Sequence, residues 1–323
     1  MTPSAAAAVS GRAPAWARGV YLANLVAQAG IVVTGAVVRI TESGLGCPTW
    51  PECVDGSITP TDAQAESWHK YIEFGNRTLT FLLVLLAFAA ILVAVLDGRR
   101  RRAAGLPARR ALTLLAFIPL LGTVAQAVLG GITVLTGLHP LTVGAHLLLS
   151  MAVIAGVVAL VARSGDDGDR PITWLVPTPA RVLGWVLVIV SAMVVILGVL
   201  VTGSGPHSGD ASAERLDIDP RTISWLHADV VLLFLGLTIG LLVALSILRP
   251  RGPSLRRTWL LLGVSLIQGT IGYVQYFTGV PEVLVGLHVL GATLVWIATL
   301  FIPPALRTRG AEVAETRATA RTG

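Results

Sequence analysis

The chain has 323 residues, of which 54% are hydrophobic and 13% are charged, and its mean hydropathy is +0.76. So few charged residues cannot cover a soluble protein of this length, and the long continuous apolar runs exclude a β-barrel of short alternating strands. The formal net charge is +6, and Lys70 is the only lysine among the 24 basic residues. Because the arginines fall in short connections between apolar runs, we interpret them as orientation signals and exclude a nucleic-acid partner.

The apolar runs are the main structural signal. About 20 apolar residues in a helix cross a hydrocarbon core of about 30 Å. The runs and the breakers between them predict an all-α integral membrane protein with eight transmembrane helices, at residues 17–39, 69–96, 111–135, 141–162, 180–202, 223–247, 257–278 and 282–306.

The connections between these spans alternate in charge. Connections 40–68 (which includes Glu66) and 203–222 are acidic, whereas the alternate connections are basic. Basic connections stay in the cytoplasm, so we expect a multi-pass protein of the cell membrane with both termini cytoplasmic and 40–68 extracytoplasmic. Met1–Arg18 is interpreted as a cytoplasmic tail and not as a secretory signal. The basic residues concerned are Arg12, Arg18, Arg99–Arg102, Arg109, Arg110, Arg163, Arg170, Arg249, Arg251, Arg256, Arg257, Arg307, Arg309, Arg317 and Arg321.

An internal repeat relates the third and fourth spans to the seventh and eighth. Segment 126–146 matches segment 268–288 at a constant offset of 142 residues, with glutamine, glycine and histidine at the same positions. Four helices in each repeat give parallel halves related by an axis along the membrane normal. We therefore expect two pseudo-symmetric four-helix bundles, formed by residues 1–166 and 167–323.

Three histidines lie inside predicted spans. His146, His227 and His288 are 17, 22 and 19 residues from the next cytoplasmic arginine, so their depths agree within about 8 Å. Ionisable groups inside a membrane point to function, and paired histidines on facing helices suit six-coordinate haem. His227 and His288 form such a pair in the second half. The alternative for each is a hydrogen bond across helices.

The first half has a less complete ligand set. Asn76 occupies the position that corresponds to His227. His69 lies seven residues earlier on the same helical face, about 10 Å further out. His69 therefore either ligates a haem nearer the outer surface or serves as an ordinary interfacial residue.

Glu73 is a carboxylate beside the histidine positions of the first half. Its counterpart in the second half is Ser224, which suggests that one site reacts and the other serves it. A glutamate there could act as a general base or stabilise developing positive charge. The alternative is a simple ion pair with Arg77, four residues later on the helix.

The two cysteines, Cys47 and Cys53, both lie in the first outward connection. Two prolines stiffen the segment between them, and outside the cytoplasm such a pair can form a disulfide. A structural crosslink and a redox-active pair that passes electrons both remain open.

These motifs resemble those of the haem A synthase family of bacteria and mitochondria. The resemblance covers about residues 20–305, and the cysteine-loop segment is its most specific part. The arginine-rich composition fits a high-GC bacterium such as an actinobacterium. The segments that carry the resemblance are Thr34-Gly35, Val38–Cys53, Ile72–Arg77, 126–146 and 268–288.

The resemblance implies oxidation of the C8 methyl group of haem O to the formyl group of haem A, for cytochrome oxidase. His227 and His288 would ligate a haem b cofactor in the second half. His146 would face the substrate haem in the first half, and Glu73 would be the catalytic glutamate. The cysteine pair would form the disulfide that many members have.

The chain departs from the family pattern at Asn76. Many members have Glu-x-x-His-Arg where this chain has Glu73-Phe-Gly-Asn76-Arg77. Either His69 replaces the missing ligand of the substrate haem, or His146 holds that haem mainly alone. Asn76 and Arg77 are then candidates for supporting the substrate site.

Two other functions remain as alternatives. A di-haem b-type electron-transfer cytochrome would need neither Glu73 nor the cysteine loop, and a transporter would need broken helices and a polar midplane site. For the enzyme, haem O would come from a haem O synthase. The electron acceptor and the oxygen source are left open, and a homo-oligomer is one option for the assembly.

Overall fold

The computed structural model describes residues 13–62, 64 and 67–309 and is almost entirely α-helical. Among the predicted features, Met1–Arg12, Glu66, Arg317 and Arg321 lie outside the described residues. In chain order, the elements are α1 (Ala15–Ile40), α2 (His69–Ala103), α3 (Arg110–Leu115), α4 (Ile118–Leu135), α5 (Pro140–Ser164), β1 (Thr173–Trp174), α6 (Thr178–Ser204), α7 (Pro220–Leu248), α8 (Ser254–Phe277), α9 (Glu282–Leu300), α10 (Ile302–Ala305) and β2 (Arg307–Thr308).

Eight helical segments of the described chain are long and apolar enough to cross a membrane. This result confirms the predicted all-α multi-pass fold and the number of spans. The third span consists of α3 with α4, and the eighth of α9 with α10. Side chains such as Phe81, Ile247 and Phe277 are more than three-quarters exposed (76%, 77% and 78%). Lipid covers apolar surface of this kind.

The third and eighth spans are each interrupted, which the sequence analysis did not predict. Pro119 lies in the first turn of α4, and Pro303 lies in the first turn of α10. Proline has no N–H to donate and its ring clashes with the carbonyl four residues earlier, so the preceding helix ends before it. Both interruptions lie about six residues from an arginine, Arg110 or Arg307, and therefore away from the midplane that a transporter site would use.

The two ends of the molecule differ in their polar contacts. We call the end where the arginines of the connections gather the basic end. There, Asp166 pairs with Arg163 at 2.7 Å and with Arg307 at 2.9 Å. At the opposite end, called the loop end, Asp219 caps α7 by accepting hydrogen bonds from Thr222. These bonds hold the pKa of the Asp219 carboxyl below its usual value, so it stays charged against the positive helix terminus.

The buried core consists of two clusters of apolar side chains. The first takes residues from α1, α2, α3 and α5 together with Trp296 of α9. The second takes residues mainly from α6, α7, α8 and α10. The Trp296 indole donates a hydrogen bond to the Met151 carbonyl of α5 at 2.9 Å. Helices α1, α5 and α9 thus pack against one another, and the division into two pseudo-symmetric bundles stays a prediction.

Candidate functional site

Each of the three histidines inside the spans packs its ring against a glycine of the preceding helix. A Cβ atom built on Gly130, Gly198 or Gly272 would lie 3.2 Å, 3.4 Å or 3.0 Å from the Cε1 atom of the facing imidazole. Only Cε1 and Nδ1 of each ring come within 4 Å of that position, so Nε2 points away from the glycine. The glycine–histidine pairs are Gly130–His146, Gly198–His227 and Gly272–His288.

The backbones of His146 and His288 are held in the same way. Gln126 Nε2 donates to the His146 carbonyl at 3.1 Å, and Gln268 Nε2 donates to the His288 carbonyl at 2.9 Å. Gln126 also reaches the Ser150 hydroxyl at 2.6 Å. Both glutamines belong to the repeated segment, so the sequence repeat marks a recurring local contact.

The three imidazoles fit a haem better than a bare metal ion. In His146, His227 and His288 the buried Nδ1 lies on the side of the glycine, which leaves Nε2 as the nitrogen that can bind iron. The described residues contain no group of three or more histidine, cysteine or acidic side chains that could hold a metal ion. A haem supplies four ring nitrogens and asks the protein for only one or two axial ligands.

The structure brings His227 and His288 near each other but gives His69 different neighbours. His288 lies within electrostatic range of His227. His69 begins α2, its Nδ1 lies 3.1 Å from the Ser43 hydroxyl, and its ring stacks on Trp68 with centroids 4.1 Å apart. The proposed role of His69 as a haem ligand therefore stays a prediction.

Asn76 is tied to α1. The Thr34 hydroxyl donates to Asn76 Oδ1 at 2.7 Å, so the side-chain carbonyl faces α1. Asn76 lies one turn beyond Glu73 on α2 and is partly exposed. Its correspondence to His227 in the repeat stays a prediction.

Glu73 is buried, with 5% of its surface exposed, and both of its oxygens are engaged. The Cys47 amide donates to Oε2 at 2.7 Å. Arg77 donates to Oε1 from Nε at 3.0 Å and from a terminal nitrogen at 2.5 Å. The ion pair considered in the sequence analysis thus exists, and a backbone amide of the cysteine loop completes the shell of the carboxylate.

Arg77 also binds the cysteine loop directly. Its terminal nitrogens donate to the carbonyls of Cys47 at 2.7 Å, Thr49 at 3.0 Å and Glu52 at 3.2 Å. A guanidinium has five donors in a fixed plane, so it can hold a carboxylate and several carbonyls together. Arg77 therefore joins the Glu73 carboxylate to the loop. The sequence analysis missed this role because side-chain contacts to distant carbonyls leave no periodic signal.

The cysteine loop is closed by a disulfide between Cys47 and Cys53, as expected, and both cysteines are fully buried. Its Trp50 covers α4 at Gly131, where a Cβ atom would lie 2.5 Å from the indole ring. Gly131 follows Gly130, the residue that faces His146. The loop therefore covers the first-half site at the loop end, between α2 and α4.

Arg39 is a second cation at the loop end, and the sequence analysis gave it no role. It donates to the Thr202 carbonyl at 2.5 Å and to the His207 carbonyl. The His207 ring in turn lies 2.9 Å from the Val280 carbonyl. Arg39 thus ties the end of α1 to the connection that follows α6.

Comparison with known proteins agrees with this arrangement. Curated relatives named "Heme A synthase" include one from Azorhizobium caulinodans, 27% identical over 84% of this chain and 88% of its own length. A relative from Lysinibacillus sphaericus is 33% identical over 40% of this chain and 39% of its own length. A relative from Geobacillus kaustophilus is 32% identical over 22% of this chain and 21% of its own length. The family described as "Cytochrome oxidase assembly protein" (COX15-CtaA) matches residues 18–300. The chain therefore belongs to the cytochrome oxidase assembly protein family.

Proposed function

We propose that this chain is a haem A synthase, a membrane oxidoreductase that converts the C8 methyl group of haem O to the formyl group of haem A. Its family and the names of its curated relatives support this function. The structural observation that carries the proposal is the buried Glu73 carboxylate, which is bound on both oxygens.

The haem sites follow from the three span histidines. His227 and His288 hold a haem b cofactor in the half formed by residues 167–323. His146 holds the substrate haem in the half formed by residues 1–166, and His69 is the candidate for its second ligand. The glycine contacts of the three span histidines, which direct Nε2 away from the preceding helix, support this assignment.

Bound haem iron supplies the oxidising chemistry, and the polypeptide supplies charge and position. Glu73 places a negative charge next to the substrate chamber, where it stabilises developing positive charge or accepts a proton at a carboxylate oxygen. Arg77 and the Cys47 amide fix the direction of that carboxylate. Asn76 and Arg77 thereby support the substrate site, Asn76 through its hydrogen bond to Thr34.

The orientation in the membrane follows from charge. The arginines gather at one end of the molecule, so we place the basic end and both termini in the cytoplasm. The cysteine loop then faces the extracytoplasmic side, where a disulfide is stable. Haem O reaches the site through the membrane from a haem O synthase. An electron acceptor takes the electrons of the oxidation. The chain works as a single unit or as a homo-oligomer.

The test is co-expression with a haem O synthase in cells that lack haem A, followed by extraction and chromatography of the haems. The wild-type chain converts haem O to haem A. Glu73→Gln keeps the size of the side chain and removes its charge. We expect the yield of haem A to fall at least about tenfold, which corresponds to about 1.4 kcal/mol of transition-state stabilisation. Haem b should stay bound. Glu42→Gln changes an exposed carboxylate of the same end and is the control.

Recovery of haem b alone with the wild-type chain would overturn the proposal and favour the di-haem electron-transfer cytochrome. Full haem A production by Glu73→Gln would remove the catalytic role of Glu73 and leave the enzyme assignment in place.

A further inference from the structure

Three buried polar side chains lie together at the basic end of the first half without sufficient partners. Asp97 and Arg109 are 7% and 2% exposed and form an ion pair whose nearest atoms are 3.9 Å apart. Neither Asp97 Oδ2 nor Arg109 NH1 and Nε has a hydrogen-bond partner. The fully buried Tyr21 hydroxyl also lacks one and lies within electrostatic range of both charges. At this separation a water beside the pair can hydrogen-bond to both groups.

The polar groups continue along α1 toward the middle of the bundle. Asn24 is fully buried; its nitrogen donates to the Leu86 carbonyl at 2.6 Å, and its oxygen has no partner. Gln28, one turn further, donates to the Thr123 hydroxyl of α4 at 3.4 Å. The distance along α1 from Tyr21 to Gln28 is about 10 Å. We call these residues the polar column: Tyr21, Asn24, Gln28, Asp97, Arg109 and Thr123.

The polar column ends next to the proposed substrate site. Gln126 follows Thr123 by one turn of α4, holds the His146 carbonyl, and has a buried Oε1 atom without a partner. Unpartnered atoms thus occur at Tyr21, Asn24 and Gln126, and the Gln28–Thr123 hydrogen bond links α1 to α4. Buried polar atoms left unsatisfied are costly, and internal water with two to four partners is the usual solution.

Among the described residues of the second half, α6 has no run of buried polar side chains like that of α1. Between Arg181 and Thr202, α6 carries one polar side chain, Ser191. The buried hydroxyls of Thr238 and Ser265 each donate to a carbonyl of their own helix, at 2.8 Å and 2.7 Å. Their hydrogen-bonding needs are met locally, and the surrounding cluster is apolar. Unpartnered buried atoms occur in the second half too, at Ser254 and Gln268 among others, so the first half is distinguished by the succession of buried polar residues along α1.

From these contacts we propose that the polar column holds a chain of water molecules that conducts protons between the basic end and the interior beside His146. The ligand is water, held by the Asp97–Arg109 pair, the Tyr21 hydroxyl and the amides of Asn24 and Gln28. The presence of the water chain rests on the structure alone. Its use in the oxidation of haem O rests on the proposed function.

Hydroxyl-radical footprinting of the haem-loaded, full-length protein in lipid nanodiscs tests the water chain. Radiolysis in H₂¹⁸O labels buried side chains that contact bound water. We expect Tyr21 to be labelled several-fold more than Phe234, a buried aromatic residue of the apolar second cluster that is 3% exposed and serves as the matched control. Equal, background labelling of both rings would overturn the proposal, whether or not the protein makes haem A.

Gln28→Leu tests proton conduction, because it keeps the volume of the side chain and removes both polar atoms. We expect haem content and Tyr21 labelling to stay unchanged, turnover to fall several-fold, and the solvent deuterium isotope effect on turnover to rise. Ser191→Ala removes a buried hydroxyl in the other half and should change none of these. Unchanged turnover, or slower turnover with an unchanged isotope effect, would overturn proton conduction. Absence of haem A from the wild-type chain would instead overturn the proposed function.

Discussion

At the scale of single residues, Arg77 has more hydrogen-bonding partners than its helical neighbours. One guanidinium binds the Glu73 carboxylate and three carbonyls of the cysteine loop. The charge of the carboxylate, the direction of its oxygens and the position of the loop therefore depend on one side chain. A lysine at this position would keep the charge but could not reproduce this planar set of donors.

We predict that Arg77→Lys loosens the cysteine loop. The change removes two or three hydrogen bonds to carbonyls, each worth about 1 kcal/mol. We therefore expect the rate at which reductant opens the Cys47–Cys53 disulfide to rise at least roughly tenfold. The rate is measured by maleimide labelling after a pulse of reductant, in protein reconstituted in lipid. Arg256→Lys changes an exposed arginine of α8 and is the control. A labelling rate equal to that of the wild type would show that Arg77 does not hold the loop.

The sequence analysis identified most of the chemically important side chains but few of their contacts. Inside a membrane span an ionisable residue stands out against an apolar background, so His146, His227, His288 and Glu73 were evident. The hydrogen bond from the Cys47 amide to Glu73 joins positions 26 residues apart through a backbone atom. Neither hydropathy nor helical periodicity carries information about such a contact.

At the scale of helices, the spans were predictable because long apolar runs have few alternatives in a membrane. The count of eight was right, and α1 begins and ends within two residues of the predicted limits. The interruption between α3 and α4 was missed because the residues on both sides are equally apolar. Pro119 was its only sequence signal, and prolines are tolerated in many transmembrane helices.

Contacts between helices give a second prediction, at Gly272 of α8. Alanine at this position would place its methyl group 3.0 Å from the His288 ring, which must move. Overpacking costs about 1–3 kcal/mol, so the second-half haem should be retained roughly tenfold less well. Gly269→Ala lies on the same helix with nothing within 4 Å and is the matched control. The haem-to-protein ratio after purification is the measurement, and equal ratios for both variants would contradict the packing argument.

At the scale of the whole molecule, the two core clusters are joined by helices that belong to different halves of the predicted repeat. Trp296 of α9 takes part in the first cluster, whose other members come from α1, α2, α3 and α5. Sequence repeats describe what two halves share, whereas the packing between halves occurs only once in the molecule. The repeat therefore could not predict this contact.

We predict that Trp296→Phe weakens the packing of α9 on α5. The change removes the indole N–H that binds the Met151 carbonyl and should cost about 1 kcal/mol of unfolding free energy. Thermal unfolding in detergent, followed by circular dichroism, should show a lower midpoint. Trp185→Phe on α6, where the indole is 53% exposed, should leave the midpoint unchanged. Equal midpoints for both variants would show that the Trp296 hydrogen bond does not stabilise the fold.

The consecutive glycines of α4 have a mechanical consequence. Gly130 meets the His146 ring and Gly131 meets the Trp50 indole, so both rings contact the backbone of α4 at adjacent residues. Neither glycine has a side chain between its ring and that backbone, and a shift of this one turn of α4 would therefore change both contacts together.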